Sequence, residues 1–203
     1  MAAATDLRPG YDEPVLAAQS AFRQILSALS RPGTIETVGL EEERIPAPLN
    51  AASTNVALTL LDNDTPVWLS PTLNTAEVAS YIRFHTGAPI VAQEEKAAFA
   101  FTMANELESL SAFNIGNDLY PETSTTLIVQ LPSLGEGATR LELSGPGIET
   151  TSTLSLDGMG GALWEEWSHN SALFPCGIDM ILTANDRLAA LPRTTKAILI
   201  EER

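Results

Sequence analysis

What this chain has little of is positive charge. Eleven lysines and arginines stand against 26 aspartates and glutamates, a formal net charge of −15 over 203 residues. Only two of the eleven are lysines, Lys96 and Lys196, so no basic stripe can form. Nucleic-acid binding is driven largely by Lys and Arg on phosphate, and anionic membrane surfaces attract the same residues. Neither partner suits this chain. A polyanionic small molecule would need local arginines or backbone N–H groups working against the overall field.

Cysteine is nearly absent as well. Cys176 stands alone, which excludes an intrachain disulfide and fits a reducing cytoplasm. One thiolate cannot ligate an iron–sulfur cluster. With His85 and His169 it makes three widely spaced Cys and His residues, fewer than a structural zinc site takes. A P-loop needs Gly-Lys-Ser/Thr after a glycine turn, yet Lys96 follows Glu95 and Lys196 follows Thr195. There is no Gly-x-Ser-x-Gly elbow, and no apolar run approaches the roughly 18 residues of a membrane helix. The opening MAAATDLRPGYDE lacks a signal-type apolar stretch. The expectation is a cytoplasmic protein with no metal and no cofactor of its own.

What is there reads as one folded unit. The chain is 44% hydrophobic and 18% charged, an ordinary globular balance, and long enough for one sizeable core. Residues 1–11 read as a flexible leader and 12–203 as a single α/β domain. Asp12 is placed to cap a helix with Pro14 in its first turn. Phe22, Ile25, Leu26 and Leu29 follow at helical spacing as one apolar face, and Pro32-Gly33 ends it. Thr34 to Val38 reads as a strand. Asn50 caps a second helix, to about Leu61, that is apolar nearly all round. Asp62-Asn63-Asp64 is a turn before a strand at Val67 to Leu69. Thr75 opens a third helix with Val78, Tyr81, Ile82 and His85 on one face and Gly87 after its end. Pro89 to Val91 and Phe99 to Phe101 read as strands, 104–113 as a helix, and Gly116 to Ser124 as a loop. Thr126 to Leu131 reads as a strand buried on both faces. A strand at Arg140 to Leu143 and a helix from Gly160 to about His169 follow. The last strands are Ile178 to Thr183, Leu188 to Leu191 and Ala197 to Ile200. Strands interleaved with helices predict layers around a mixed sheet.

Few residues offer chemistry. Arg83 and His85 could contact an anion or move a proton, but cationic side chains also suit a helix C-terminus. Arg193, with Thr194 and Thr195, could grip a phosphoryl group or equally close a strand end. Asp179, at the head of an apolar strand, needs a cationic or N–H partner; a structural ion pair is the first reading and acid–base work the second. The glycines of Asp157 to Gly161 could offer amides to an anion. Asp62 and Asp64 are turn formers before they are cation ligands, and Cys176 has no neighbouring base and reads as packing. No catalytic residue emerges.

Five phrases in fixed order carry more information: FRQILSALSRPG (Phe22 to Gly33), LTLLDNDTPVWLS (Leu58 to Ser70), RFHTGAPIV (Arg83 to Val91), FPCGIDMIL (Phe174 to Leu182) and LPRTT (Leu191 to Thr195). Together they resemble the PhnH family of the bacterial carbon–phosphorus lyase system. The resemblance implies a three-layer α/β/α sandwich related to the large domain of pyridoxal-phosphate-dependent transferases, without the cofactor; Lys196 is a poor Schiff-base candidate. It implies an auxiliary role in phosphonate catabolism, where subunits G, H and I, with the ATPase-like subunit L, join a phosphonate to ribose triphosphate from a nucleotide. A radical subunit, J, later breaks the carbon–phosphorus bond. It further implies a homodimer in isolation and contacts with subunits G, I and J in a core complex. The alternative is a stand-alone phosphonate-binding protein or enzyme on a degenerate transferase scaffold. The leader and the segments 104–124 and 133–138 carry little of the likeness.

Overall fold

Local chemistry sets the helix boundaries. In this computed structural model, which describes residues 7–201, Asn50 caps helix α2 (Ala51–Leu60) by accepting the Ser53 N–H at 2.7 Å. Thr75 does the same for α3 (Ala76–Thr86), accepting from Val78 at 3.1 Å. Gly87 ends α3 at φ +77°, a conformation that costs a side chain but not a glycine. Helix α1 (Pro14–Ser30) has Pro14 in its first turn, but Glu13 occupies the capping position and makes no side-chain cap. Asp12, the expected cap, pairs with Arg44 at 2.6 Å instead.

The strands among the described residues are β1 (Glu36–Thr37), β2 (Val67–Leu69), β3 (Phe99–Met103), β4 (Thr126–Gln130), β5 (Leu134–Ser144), β6 (Ser152–Leu156), β7 (Asp179–Ala184), β8 (Arg187–Leu191) and β9 (Lys196–Glu201). Six form a mixed sheet in the order β1-β8-β7-β4-β3-β2. Its β2, β3, β4 and β7 run parallel, while β8 is antiparallel to β7 and to β1. The β7–β8 hairpin turns at Asn185-Asp186, with Asn185 at φ +54°, as a two-residue hairpin loop requires. Residues 104–113, expected as a helix, form only two short 3-10 turns, and Pro89 to Val91 contributes a single bridge, Val67 to Ile90.

Both faces of the central strands are buried, and alternation sorts their side chains. Ile128, Ile181, Leu188 and Ala190 join Ile25, Ala28, Val56, Ala57, Val78 and Ile82 in one core beneath α1, α2 and α3. Leu127, Val129, Met180, Leu182, Ala189 and Leu191 face the other core. That second face departs from the expected helical layer. It is covered by helix α4 (Gly161–Ala172), through Leu163, Trp164 and Trp167, and by a three-stranded antiparallel sheet, β6-β5-β9, through Leu141, Leu143, Leu154 and Leu156. The crossover β2–α3–β3 lies on the first face and β4–β5–β6–α4–β7 on the second. Both step the same way across the sheet, so the two are of opposite hand, against the usual right-handed rule.

Helix α1 also turns its predicted face. Ala21, Ile25 and Ala28 are buried, while Phe22 and Leu26 are about half exposed at 48% and 51%. Ile25 alone of the expected quartet sits fully in the core; Leu29 packs at its margin.

Candidate functional site

Asp179 opens β7 and Arg193 follows β8, so the β7–β8 hairpin returns them to the same end of the sheet. Arg193 Nη2 donates to Asp179 Oδ2 at 2.5 Å, and its Nε and backbone N–H donate to Oδ1 at 3.2 and 2.8 Å. The guanidinium also reaches the carbonyls of Pro121 (2.9 Å) and Pro175 (3.2 Å) and the Ser124 hydroxyl (2.6 Å). Both side chains are largely buried, at 14% and 24% exposure. Every nitrogen of Arg193 is thus engaged within the protein. The arrangement neutralises a carboxylate and ties three segments together: the 116–124 loop, the 173–177 loop and the strand ends. Thr195 lies fully buried beside it. Its carbonyl accepts the Trp167 indole N–H at 2.9 Å, while its Oγ1 has no partner. Thr194 is half-buried.

Arg83 and His85 stand elsewhere, in the last turn of α3. Arg83 is exposed. The His85 ring lies against Tyr81 (centroids 4.4 Å apart) and Phe84 (5.0 Å). Its Nε2 is 2.9 Å from the Arg8 carbonyl, an acceptor, so Nε2 carries the proton. His85 therefore belongs to a strap that the sequence reads as leader. Tyr81 OH donates to Pro9 O at 3.4 Å and Arg44 Nη1 to Gly10 O, so three successive carbonyls are each held by a side chain. Arg8 pairs with Glu77 at 2.8 Å. Residues 1–6 of that leader lie outside the described residues.

Arg44 went unremarked in the sequence. It also pairs with Asp12 and Glu41 and borders a cavity of about 600 Å3 lined by Tyr11, Ser20, Gln24 and Asn55 among others. Hydrogen bonds to Asp12 and Glu41 hold the Arg44 guanidinium still higher than usual. Tyr11 OH donates to Asn55 Oδ1 at 2.7 Å. Burial raises the Tyr11 phenol and pushes Tyr81 up to about 12. The only sequence signal for Arg44 is one arginine closing the acidic run Glu41-Glu42-Glu43.

The carboxyl ends of the parallel strands, where open α/β sheets commonly bind ligands, are filled by the protein's own polar side chains. Gln130 accepts the Asn50 N–H at 2.7 Å and donates to Pro48 O at 3.2 Å. Thr183 Oγ1 meets Ser53 Oγ at 2.8 Å and Asn50 Nδ2 at 3.2 Å. Nearby, Glu106 accepts from Ser70 Oγ, from Thr72 Oγ1 at 2.7 Å and from Thr72 N at 3.0 Å. Burial works to raise the Glu106 carboxyl, but these bonds outweigh it and hold it below the usual range. Gln130 and Thr183 were legible only as polar residues near the ends of apolar strands.

The remaining sequence candidates take local roles. Asp157 Oδ1 accepts the Ala138 N–H at 2.7 Å across β5 and β6. Asp62 accepts the Asp64 N–H at 2.9 Å within its turn. Cys176 is half-buried, 3.8 Å from Asp118 Oδ1. Among the described residues no group of three or more His, Cys, Asp or Glu could hold a metal, and no helix is long and apolar enough to cross a membrane.

Two of the five ordered phrases, Phe174 to Leu182 and Leu191 to Thr195, therefore converge on one hub, and comparison with known proteins accounts for their order. The family model of the bacterial phosphonate metabolism protein PhnH matches residues 9–198. The alpha-D-ribose 1-methylphosphonate 5-triphosphate synthase subunit PhnH of Rhizobium meliloti (strain 1021) is 41% identical over 187 residues, covering 92% of each chain. HtxG of Stutzerimonas stutzeri, whose name assigns it to the C-P lyase subunits, is 30% identical over 179 residues, covering 87% of this chain and 84% of its own. This chain belongs to the PhnH family.

Proposed function

We propose that this protein is an auxiliary subunit of the bacterial C-P lyase assembly. It supports the step that joins a phosphonate to the ribose triphosphate of a nucleotide and leaves the bond chemistry to partner chains. The observation that carries the reading is end-to-end similarity to a synthase subunit, joined to the engagement of Arg193 and Asp179 with each other and with backbone carbonyls. A group that must release internal bonds before meeting a ligand is a poor phosphoryl clamp and a good structural tie. In this reading the protein works in the cytoplasm, as a homodimer alone and with subunits G, I and J when assembled.

The test is genetic and biochemical. Deleting the gene abolishes growth on methylphosphonate as sole phosphorus source, and this chain restores it. The purified chain gives no turnover of ATP with methylphosphonate until the other subunits are added. Turnover by the isolated chain overturns the reading. The cavity of about 600 Å3 beside Arg44 and Tyr11 favours one second reading, a small-molecule carrier. Titration calorimetry with ATP and with methylphosphonate decides it, and absence of heat at saturating concentration removes it.

A further inference from the structure

The Arg193 hub holds in place something that core packing does not explain. The two loops it ties carry Ile115, Leu119, Tyr120, Leu173 and Phe174, exposed by 38, 82, 58, 45 and 65%. Grouped large apolar side chains on a surface mark an interaction site more often than a packing accident. These loops are also built rigidly. The Gly177 N–H donates to Ile115 O at 2.8 Å, joining one loop to the other. Asn117 Oδ1 accepts the N–H groups of Leu119 and Tyr120, both at 3.0 Å. Asn114 bridges its own loop, accepting from Gly116 and donating to Thr123 O, each at 2.9 Å. Gly116 sits at φ +76°, and a Cβ there would meet the Pro121 backbone at 2.8 Å. Apolar groups fixed before binding lose little entropy on docking. Beside them, a cavity of about 410 Å3 lined by Leu110, Phe113, Ile115, Leu173, Glu166 and His169 can take an apolar anchor.

We propose that this loop pair is the docking face for a different protein chain, one that presents an apolar anchor flanked by lysine or arginine. Charge selects that occupant over a second copy. Asp118 and Glu122 are exposed beside the apolar groups and Glu166 lines the cavity, while Arg193 is neutralised by Asp179. A two-fold contact would set this acidic rim against itself, on molecules that each carry −15. A basic rim on a sister subunit meets it favourably. The proposed function supplies that sister subunit, so this inference rests on that reading for the partner's source.

The experiment is co-expression of the full chain with the other core subunits, read by size-exclusion chromatography with light scattering. The unsubstituted chain co-elutes with them. Leu119→Glu with Phe174→Glu lowers co-elution at least about tenfold, while the melting temperature and the isolated chain's own size stay unchanged. Asp118→Lys with Glu122→Lys, which leaves the apolar groups intact, weakens co-elution by a smaller factor. Glu43→Lys, an exposed charge change beside Arg44 and outside both loops, leaves it unchanged. Full co-elution of the Leu119/Phe174 variant overturns the proposal and spares the proposed function. So does loss of self-association by that variant alone, which would assign the face to a second copy. Tighter binding by the Lys variants overturns the basic rim. Failure of the unsubstituted chain to join the other subunits overturns the proposed function and this inference with it.

Discussion

Arg193 and Arg44 make an instructive pair. Each holds acidic side chain and backbone carbonyl at once, and the two guanidinium groups are similarly buried, at 14 and 10% exposure, yet their acidic partners differ. Asp179, the partner of Arg193, is 24% exposed, whereas Asp12 and Glu41, the partners of Arg44, are 74 and 61% exposed. An ion pair taken out of water is costly to break from one side, because the remaining charge stays partly desolvated. A pair with solvated carboxylates is screened by salt and contributes mainly by where it places the chain. The first arginine is a fastener inside the fold. The second holds a strap against its surface.

The sharpest way to break that contrast is to remove the first. Arg193→Ala leaves Asp179 with only the backbone N–H of residue 193 and strips the carbonyls of Pro121 and Pro175 of their side-chain donor, and we expect a loss of about 3 kcal/mol in denaturant unfolding. A loss no larger than that of an exposed arginine would erase the distinction. Gln130→Leu comes next: it strips partners from Asn50 N and Pro48 O, at an expected cost of about 2 kcal/mol, measured by the same unfolding curves. Arg44→Ala should leave global unfolding almost unchanged. Amide exchange should quicken across residues 8–12, and high salt should reproduce part of that in the unsubstituted protein.

Two smaller effects refine the picture of the strap and the hub. Burial, with Tyr11 nearby, pushes the Tyr81 phenol up to about 12 from an ordinary 10.0. The neutral phenol is the form the fold favours, so its contribution is complete below pH 10 and lost as the pH rises toward about 12. Tyr81→Phe should therefore flatten the fall in melting temperature across that window, and the late-titrating phenolate absorbance of the unsubstituted protein, to which the raised Tyr11 also contributes, should lose Tyr81's share. Thr195→Val removes a buried hydroxyl that has no partner and keeps the shape. It should be neutral or stabilising by up to about 1 kcal/mol, and a large loss would mean that the hydroxyl is bonded in solution.

The parts of the fold that were legible share one property: their signals are local. Asn50, Thr75 and Gly87 mark their helices because a cap is a contact within three or four residues. Thr126 to Leu131 announced a doubly buried strand by its unbroken apolar run. What failed needed a distant partner. The β6 strand Ser152–Leu156 is short and carries only two leucines, and β5 runs from Leu134 through Gly135-Glu136-Gly137 and shifts register between Leu134 and Thr139. Ser152–Leu156 and the first half of β5 do not read as strands until each lies beside the other, whereas Arg140 to Leu143 of β5 reads as one from its alternation. Helix α1 misled for the opposite reason. Val15, Leu16, Phe22 and Leu26 are as apolar as the buried Ile25, so periodicity offered two faces and only packing on the sheet chose between them.

The sequence by itself determined the caps of α2 and α3, the strands of the central sheet and, through five ordered phrases, the family. Each rests on residue type or on contacts within a few positions. The tertiary structure alone decided that Arg193 closes on Asp179 and two loops, that His85 and Arg44 hold the segment before α1, and that a second sheet covers one face. Those outcomes depend on residues up to 77 positions apart, whose meeting is set by chain closure and shared burial, and no local pattern encodes it.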